Sequence, residues 1–156
     1  MSYILSPQGV RGAGLGVRVD RATAALPQGA TGSIFTVSGG RIIITSLVGE
    51  VTTVLGATVT TLAVVSTPTT GAATTLASAT AVTSSAAGSW FTLPATLGAA
   101  LVVTPVAGAA ALPTRDLGIL VPVGAVQVTT SASDTGSVKW SMTYVPFDDA
   151  ATVVAA

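Results

Sequence analysis

The chain has 156 residues, carries six basic and six acidic side chains, and contains neither histidine nor cysteine. That stock excludes Ser-His-Asp chemistry and disulfides, and a formal net charge of zero argues against nucleic acid, whose phosphates need clustered Lys and Arg. Hydrophobic residues make up 49% and aromatics only 4%, and with 25 threonines and 17 glycines the mixture suits the pleated strands of a single domain.

Residues 1–16 form an arm in which four glycines and a proline within ten residues, from Pro7 to Gly16, predict no regular structure. The glycine spacing superficially matches a dinucleotide-binding loop, but it follows no strand and opens no helix, so that reading fails. The domain proper, 17–156, begins with Val17-Arg18-Val19-Asp20-Arg21, whose alternation predicts a half-buried strand. Residues 26–32 read as a turn and 33–38 as a strand. Gly39-Gly40 then leads into 41–50, the strongest strand signal in the chain, and two strands flanking a Gly-Gly pair predict a hairpin.

Residues 51–56 continue or bend that strand, and 58–66 form another, closed by a Pro- and Gly-containing turn at 67–71. Two short strands are expected at 72–78 and 80–84, then one at 90–93 and one at 100–104 within the irregular stretch 94–113. Residues 118–122 read as a strand whose Pro122 marks an edge or an end. The clearest alternation is in 125–130 and 137–145, where Val138, Trp140, Met142 and Tyr144 share one face. A last short piece falls at 152–154. Nine to eleven short strands with a turn about every ten residues predict an all-β antiparallel sandwich, jelly-roll-like, with an irregular Gly-rich N-terminal arm.

The longest apolar stretches, 97–103 and 117–123, fall far short of the roughly 20 residues of a spanning helix. The first seven residues lack a basic segment and a continuous apolar core, so no secretory signal is expected and the chain reads as one made in a cytoplasm. Catalysis is not expected, because a Ser-Lys arrangement would have to use Lys139, the single lysine, on an outward strand position. Asp148-Asp149, the adjacent carboxylate pair, reads as a solvated turn rather than a metal site, and Arg115-Asp116 as a loop-tip ion pair. No cofactor or metal is expected. Arg18, Asp20 and Arg21 form either a polar strand edge or a set of charges for a partner chain. Trp90, Trp140, Phe35, Phe91, Tyr144 and Phe147 are expected mainly in the core, with a sugar-binding platform as the other use. So little charge on a β-domain of this size fits either a surface largely covered by neighbours or a monomer coated with Thr and Ser.

Two passages carry a resemblance. One is 126–154, in which Asp134-Thr135-Gly136 leads into Lys139-Trp140-Ser141-Met142-Thr143-Tyr144; the other is 32–53, with Gly39-Gly40-Arg41-Ile42-Ile43-Ile44. Both resemble small virion structural proteins of tailed phages infecting actinobacteria, of the head-decoration or minor-capsid kind. The resemblance implies a sandwich or jelly-roll subunit, homotrimeric, seated where major capsid proteins meet on the outer capsid surface of the virion after assembly in the host cytoplasm. Arg11 in the arm, with Arg18 and Arg21 beside it, is the expected partner contact. Two other readings stay open: a tail or fibre protein that binds host-surface glycan through Trp90 or the loops near Arg115, and a monomeric ligand-binding β-barrel.

Overall fold

A computed structural model describes residues 6–106, 108–112 and 118–156. Within them lie one helix, α1 (Pro7–Leu15), and eleven strands: β1 (Val17–Ala25), β2 (Thr31–Ser38), β3 (Ile42–Thr53), β4 (Thr61–Pro68), β5 (Thr74–Ala81), β6 (Trp90–Thr92), β7 (Val102–Thr104), β8 (Ile119–Val121), β9 (Gly124–Thr130), β10 (Ser137–Pro146) and β11 (Thr152–Ala155).

The strands form two antiparallel sheets packed as a sandwich, as the alternation predicts. The larger, sheet A, runs β1-β10-β3-β6-β7, with β8 pairing the other end of β3; sheet B runs β11-β2-β9-β4-β5. No barrel closes. The neighbouring edges β1 and β11 share no ladder, and Arg21 Nε spans them by donating to the Ala156 carbonyl at 2.8 Å. On the opposite side the outer edge of β5 is covered by 98–101: Ser78 N donates to Ala99 O (2.8 Å) and Leu101 N to Ser78 O (3.0 Å). Covering an edge in this way removes a template for unwanted strand pairing.

The core lies between the sheets. Val138, Trp140, Met142 and Tyr144 all point into it from β10, as expected, at 0–5% exposure. Phe91 of β6 packs beside Trp140, ring centres 6.4 Å apart. Gly49 of β3 gives the indole its space: a Cβ there would lie 2.8 Å from Trp140 Cζ3. Sheet B answers with Phe35, Val37, Leu62, Val64, Leu76, Val126 and Val128, all buried and mostly aliphatic.

Three expectations change. The arm is not irregular, because α1 occupies Pro7–Leu15. Its ends explain how three interior glycines are tolerated: the Ser6 side chain accepts from Gly9 N, Pro7 sits where a missing N–H costs nothing, and Gly16, at φ +93°, returns its N–H to Gly12 O. Gly39-Gly40 does not make a hairpin. β2 belongs to sheet B and β3 to sheet A, so the pair is a corner at which the chain changes sheets. A Cβ on Gly39 (φ +73°) would collide with Ala150 O, and one on Gly40 with Asp148. Finally, the two short strands expected over 72–84 are one, β5.

Candidate functional site: the outer face of sheet A

Five charged side chains lie on the strands of sheet A, namely Arg18, Asp20, Arg21, Glu50 and Lys139, whereas the five strands of sheet B carry none. Four of the five come together on the outer face of sheet A through the period of two along each strand. On β10 the alternate residues Lys139, Ser141 and Thr143 face outward, with Thr143 buried among neighbouring hydroxyls. Register then places Lys139 beside Glu50 and Glu50 beside Trp90, while Asp20 lies opposite Ser141 and Arg18 opposite Thr143.

Short hydrogen bonds fix the β1 side of this face. Arg18 Nε and Nη2 both lie 2.8 Å from Asp20 Oδ1, and Ser141 Oγ donates to the same oxygen at 2.6 Å. The Ser141 hydroxyl, followed by Arg18, holds the Asp20 carboxyl below its ordinary value. Further along, the hydroxyls of Ser46 and Thr45 each meet that of Thr143, and Thr45 donates to Leu15 O, which docks the end of α1 on the sheet. Between α1 and Trp90 the face sinks into a groove of about 290 Å³, lined by Arg18, Ser141, Lys139, Glu50, Val48 and Trp90.

Of the residues expected to meet a partner, Arg18 is in this groove and is committed to Asp20 and Ser141. Arg21 is on the other face of β1, with its Nε on Ala156, and it lines a separate cleft at the sheet margin with Trp140 and Ile34. The structure therefore does not bring the two arginines together. Arg11 belongs to α1, and its side chain lies outside the described residues. So does the Arg115-Asp116 pair.

The aromatics divide. Phe35, Phe91, Trp140 and Tyr144 are buried, while Trp90 is half-buried at the groove and Phe147 is exposed. Asp148 is more than a solvated turn. It accepts three bonds from Arg41: backbone N to Oδ2 at 2.7 Å, Nε to Oδ2 at 2.9 Å and Nη2 to Oδ1 at 2.8 Å. The Arg41 guanidinium lies 4.7 Å from the centre of the Phe147 ring, and its bonds hold the Asp148 carboxyl down to about 2. Among the described residues no three His, Cys, Asp or Glu side chains cluster as a metal site would require, and no helix is long and apolar enough to cross a membrane.

Glu50, Lys139, Ser46, Ser141 and Thr143 were not singled out as a site from the sequence. The outward alternation of 137–145 carried the signal for three of them, but only the pairing of β10 with β1 and β3 makes them neighbours.

No family model matches the chain, and no curated protein matches it in sequence. Among solved structures it is similar to one titled "Structure of infectious bursal disease virus Gx strain", with a TM-score of 0.26 and 13% identity over 92% of this chain. The chain spans 31% of that protein's length, and a likeness at that score carries no argument for fold or role.

Proposed function

We propose that the chain is a virion structural protein, a capsid decoration subunit that seats on the outer surface of the major capsid protein lattice and braces it, acting by coverage rather than catalysis. The observation that carries this reading is the charge-free outer face of sheet B. Thr36, Ser33, Gln127, Thr129, Ala63, Val65 and Thr67 present hydroxyls, amides and small apolar groups, and none of that sheet's strands holds a charge. Such a face loses little on desolvation and repels no partner, which is the reason interface cores are depleted of charge. Five strands about 4.8 Å apart and about seven residues long make a face of about 600 Å², close to the roughly 800 Å² per partner of a standard interface.

Shell stabilisation then follows from mass action, since a ligand at about 100 times its Kd adds about 2.7 kcal/mol per site. Self-association into a trimer and contact through residues 1–16 belong to the same proposal. For the latter, the C-terminal end of α1 is anchored to the domain, with Thr45 donating to Leu15 O, and the segment before it is the proposed contact.

The test is direct. Antibody against the chain should label the heads of intact phage particles, and label confined to the tail overturns the decoration reading. With shells lacking the chain, Thr36→Glu with Ala63→Glu should weaken binding about 100-fold, since an unpaired buried charge costs several kcal/mol. A chain without residues 1–16 that binds those shells as tightly as the full chain would remove the arm from the contact.

A further inference from the structure

Sheet A also turns apolar side chains outward, and register gathers them at the end of the sheet away from Glu50, Lys139 and Trp90. Leu120 of β8 lies opposite Ile43 of β3, and Ile43 opposite Val145 of β10. Their neighbours Ile119, Val121, Ile42, Ile44 and Tyr144 are buried in the core, so alternation turns these three outward in one row across three strands. Just past the strand ends the row is flanked by Arg41 and Phe147. Phe147 N donates to Arg41 O at 3.0 Å, and the guanidinium lies 4.7 Å from the ring centre. We infer that this patch is the surface through which copies of the chain meet one another.

The patch is open. Leu120, Val145 and Phe147 are 53%, 40% and 51% exposed. With Ile43 between them they leave about 300 Å² of contiguous apolar surface, the size at which the largest patch on a monomer is often functional. It lies on the sheet opposite the face proposed to seat on the shell, so a seated chain still presents it.

Complementarity selects a second copy as the occupant. Among the described residues Arg41 is the one cation of the patch, and Asp148 matches its charge at 2.8 Å. The patch therefore offers no net field to an anionic or a cationic partner, and two copies of it do not repel. Its two polarisable features are nonetheless unlike, a cation beside an aromatic ring. The Arg41 side chain is 51% exposed while it lies on its own Phe147, so Arg41 of one copy stacks on Phe147 of the next as the aliphatic row closes over its counterpart. A two-fold pair makes both unlike contacts at once, and a ring of three makes them in turn. The ring is the order that the capsid reading implies, and the inference rests on that reading for this order alone. About 300 Å² per copy is well under the roughly 800 Å² per partner of a standard interface, so assembly depends on concentration, with half-assembly near about 10 μM chain.

Light scattering on the purified full chain, without shells, tests this. Across that concentration the mass should rise from the 15.2 kDa of one chain to three times as much. Leu120→Lys with Val145→Lys should raise the half-assembly concentration about 100-fold while the urea midpoint stays near the parent's. Leu120→Thr with Val145→Thr, which suit the strands if the lysines disturb the sheet, should raise it about tenfold. Phe147→Leu keeps apolar area but removes the ring, and should raise it about threefold. A parent that remains one chain at about ten times the expected concentration, or an assembly that the folded lysine variant leaves intact, overturns the inference. So does an assembly that dissociates with Thr36→Glu and Ala63→Glu, because the copies then meet through sheet B. A mass of two chains that the lysine variant halves upholds the surface and removes the three-fold order. Shell binding is read separately, and its loss with the assembly intact fails the decoration reading while this one stands.

Discussion

The two sheets share one core yet differ on both faces. Sheet A places the large side chains inside, Trp140, Phe91, Met142 and Tyr144, and keeps charge outside. Sheet B, with Phe35 as its single aromatic, fills its half with aliphatic residues and presents no charge to the exterior. Uniform solubility would spread charge over both faces. Its confinement to one side is what the proposed coverage of sheet B by another protein requires, with the charged face of sheet A left to water.

The sharpest way to break this contrast is through the core. Trp140→Ala should cost about 3–5 kcal/mol in urea unfolding, because it leaves a large void against Gly49 and Phe91. Leu62→Ala on the sheet B side should cost about 2–5 kcal/mol. Equal losses would mean that the sheets contribute to the core alike and that the aromatic side is not its anchor. Next in size is Gly49→Ala. The added methyl meets the indole face at 2.8 Å, a rigid neighbour, so a loss of about 1–3 kcal/mol is expected. The double variant with Trp140→Leu should recover part of it, and full additivity would show that the two residues do not share space.

Smaller still is the effect of exchanging the faces' character. Thr36→Lys on sheet B and Val48→Thr on sheet A should each move unfolding stability by less than about 0.5 kcal/mol, since both positions point outward. Only Thr36→Lys should weaken binding to shells lacking the chain, read by co-sedimentation. If neither variant changes it, the charge-free face is ordinary surface.

Much of this was legible in the sequence, and the boundary has a physical cause. Period-two patterning of 137–145 identified the inward set because burial acts residue by residue. The same patterning could not say which strand lies beside which, so Gly39-Gly40 read as a hairpin when its strands pair with β9 and β10, about 90 and 100 residues away. Local composition also misjudged α1, where caps at Ser6 and Gly16 outweigh interior glycines. The groove was invisible for a related reason. Trp90 and Lys139 drew notice only singly and Glu50 not at all, and register is what sets the three in one row. The uncharged face is likewise a property of topology, since the charge-bearing strands β1, β3 and β10 are far apart in the chain, with charge-free strands between them, and only pairing gathers them in one sheet.

The corner that joins the sheets supplies the mildest expected effect. The chain passes from B to A at Gly39-Gly40-Arg41 and from A to B at 147–151, and the Arg41–Asp148 fork ties these crossings together. In the unfolded chain the Asp148 carboxyl titrates near the ordinary aspartate value of about 3.9; in the fold it titrates at about 2. A depressed folded value means that the pair's contribution is complete above the unfolded value and disappears as pH falls through about 2. Both groups are solvent-exposed, so the contribution is small and screened by salt. Urea midpoints of the parent should therefore decline between about pH 5 and about pH 2 slightly more steeply than those of Asp148→Asn, with the difference shrinking in about 1 M salt. Parallel acid limbs would show that Gly39 and Gly40, by their close fit to 148–150, hold this corner without the ion pair.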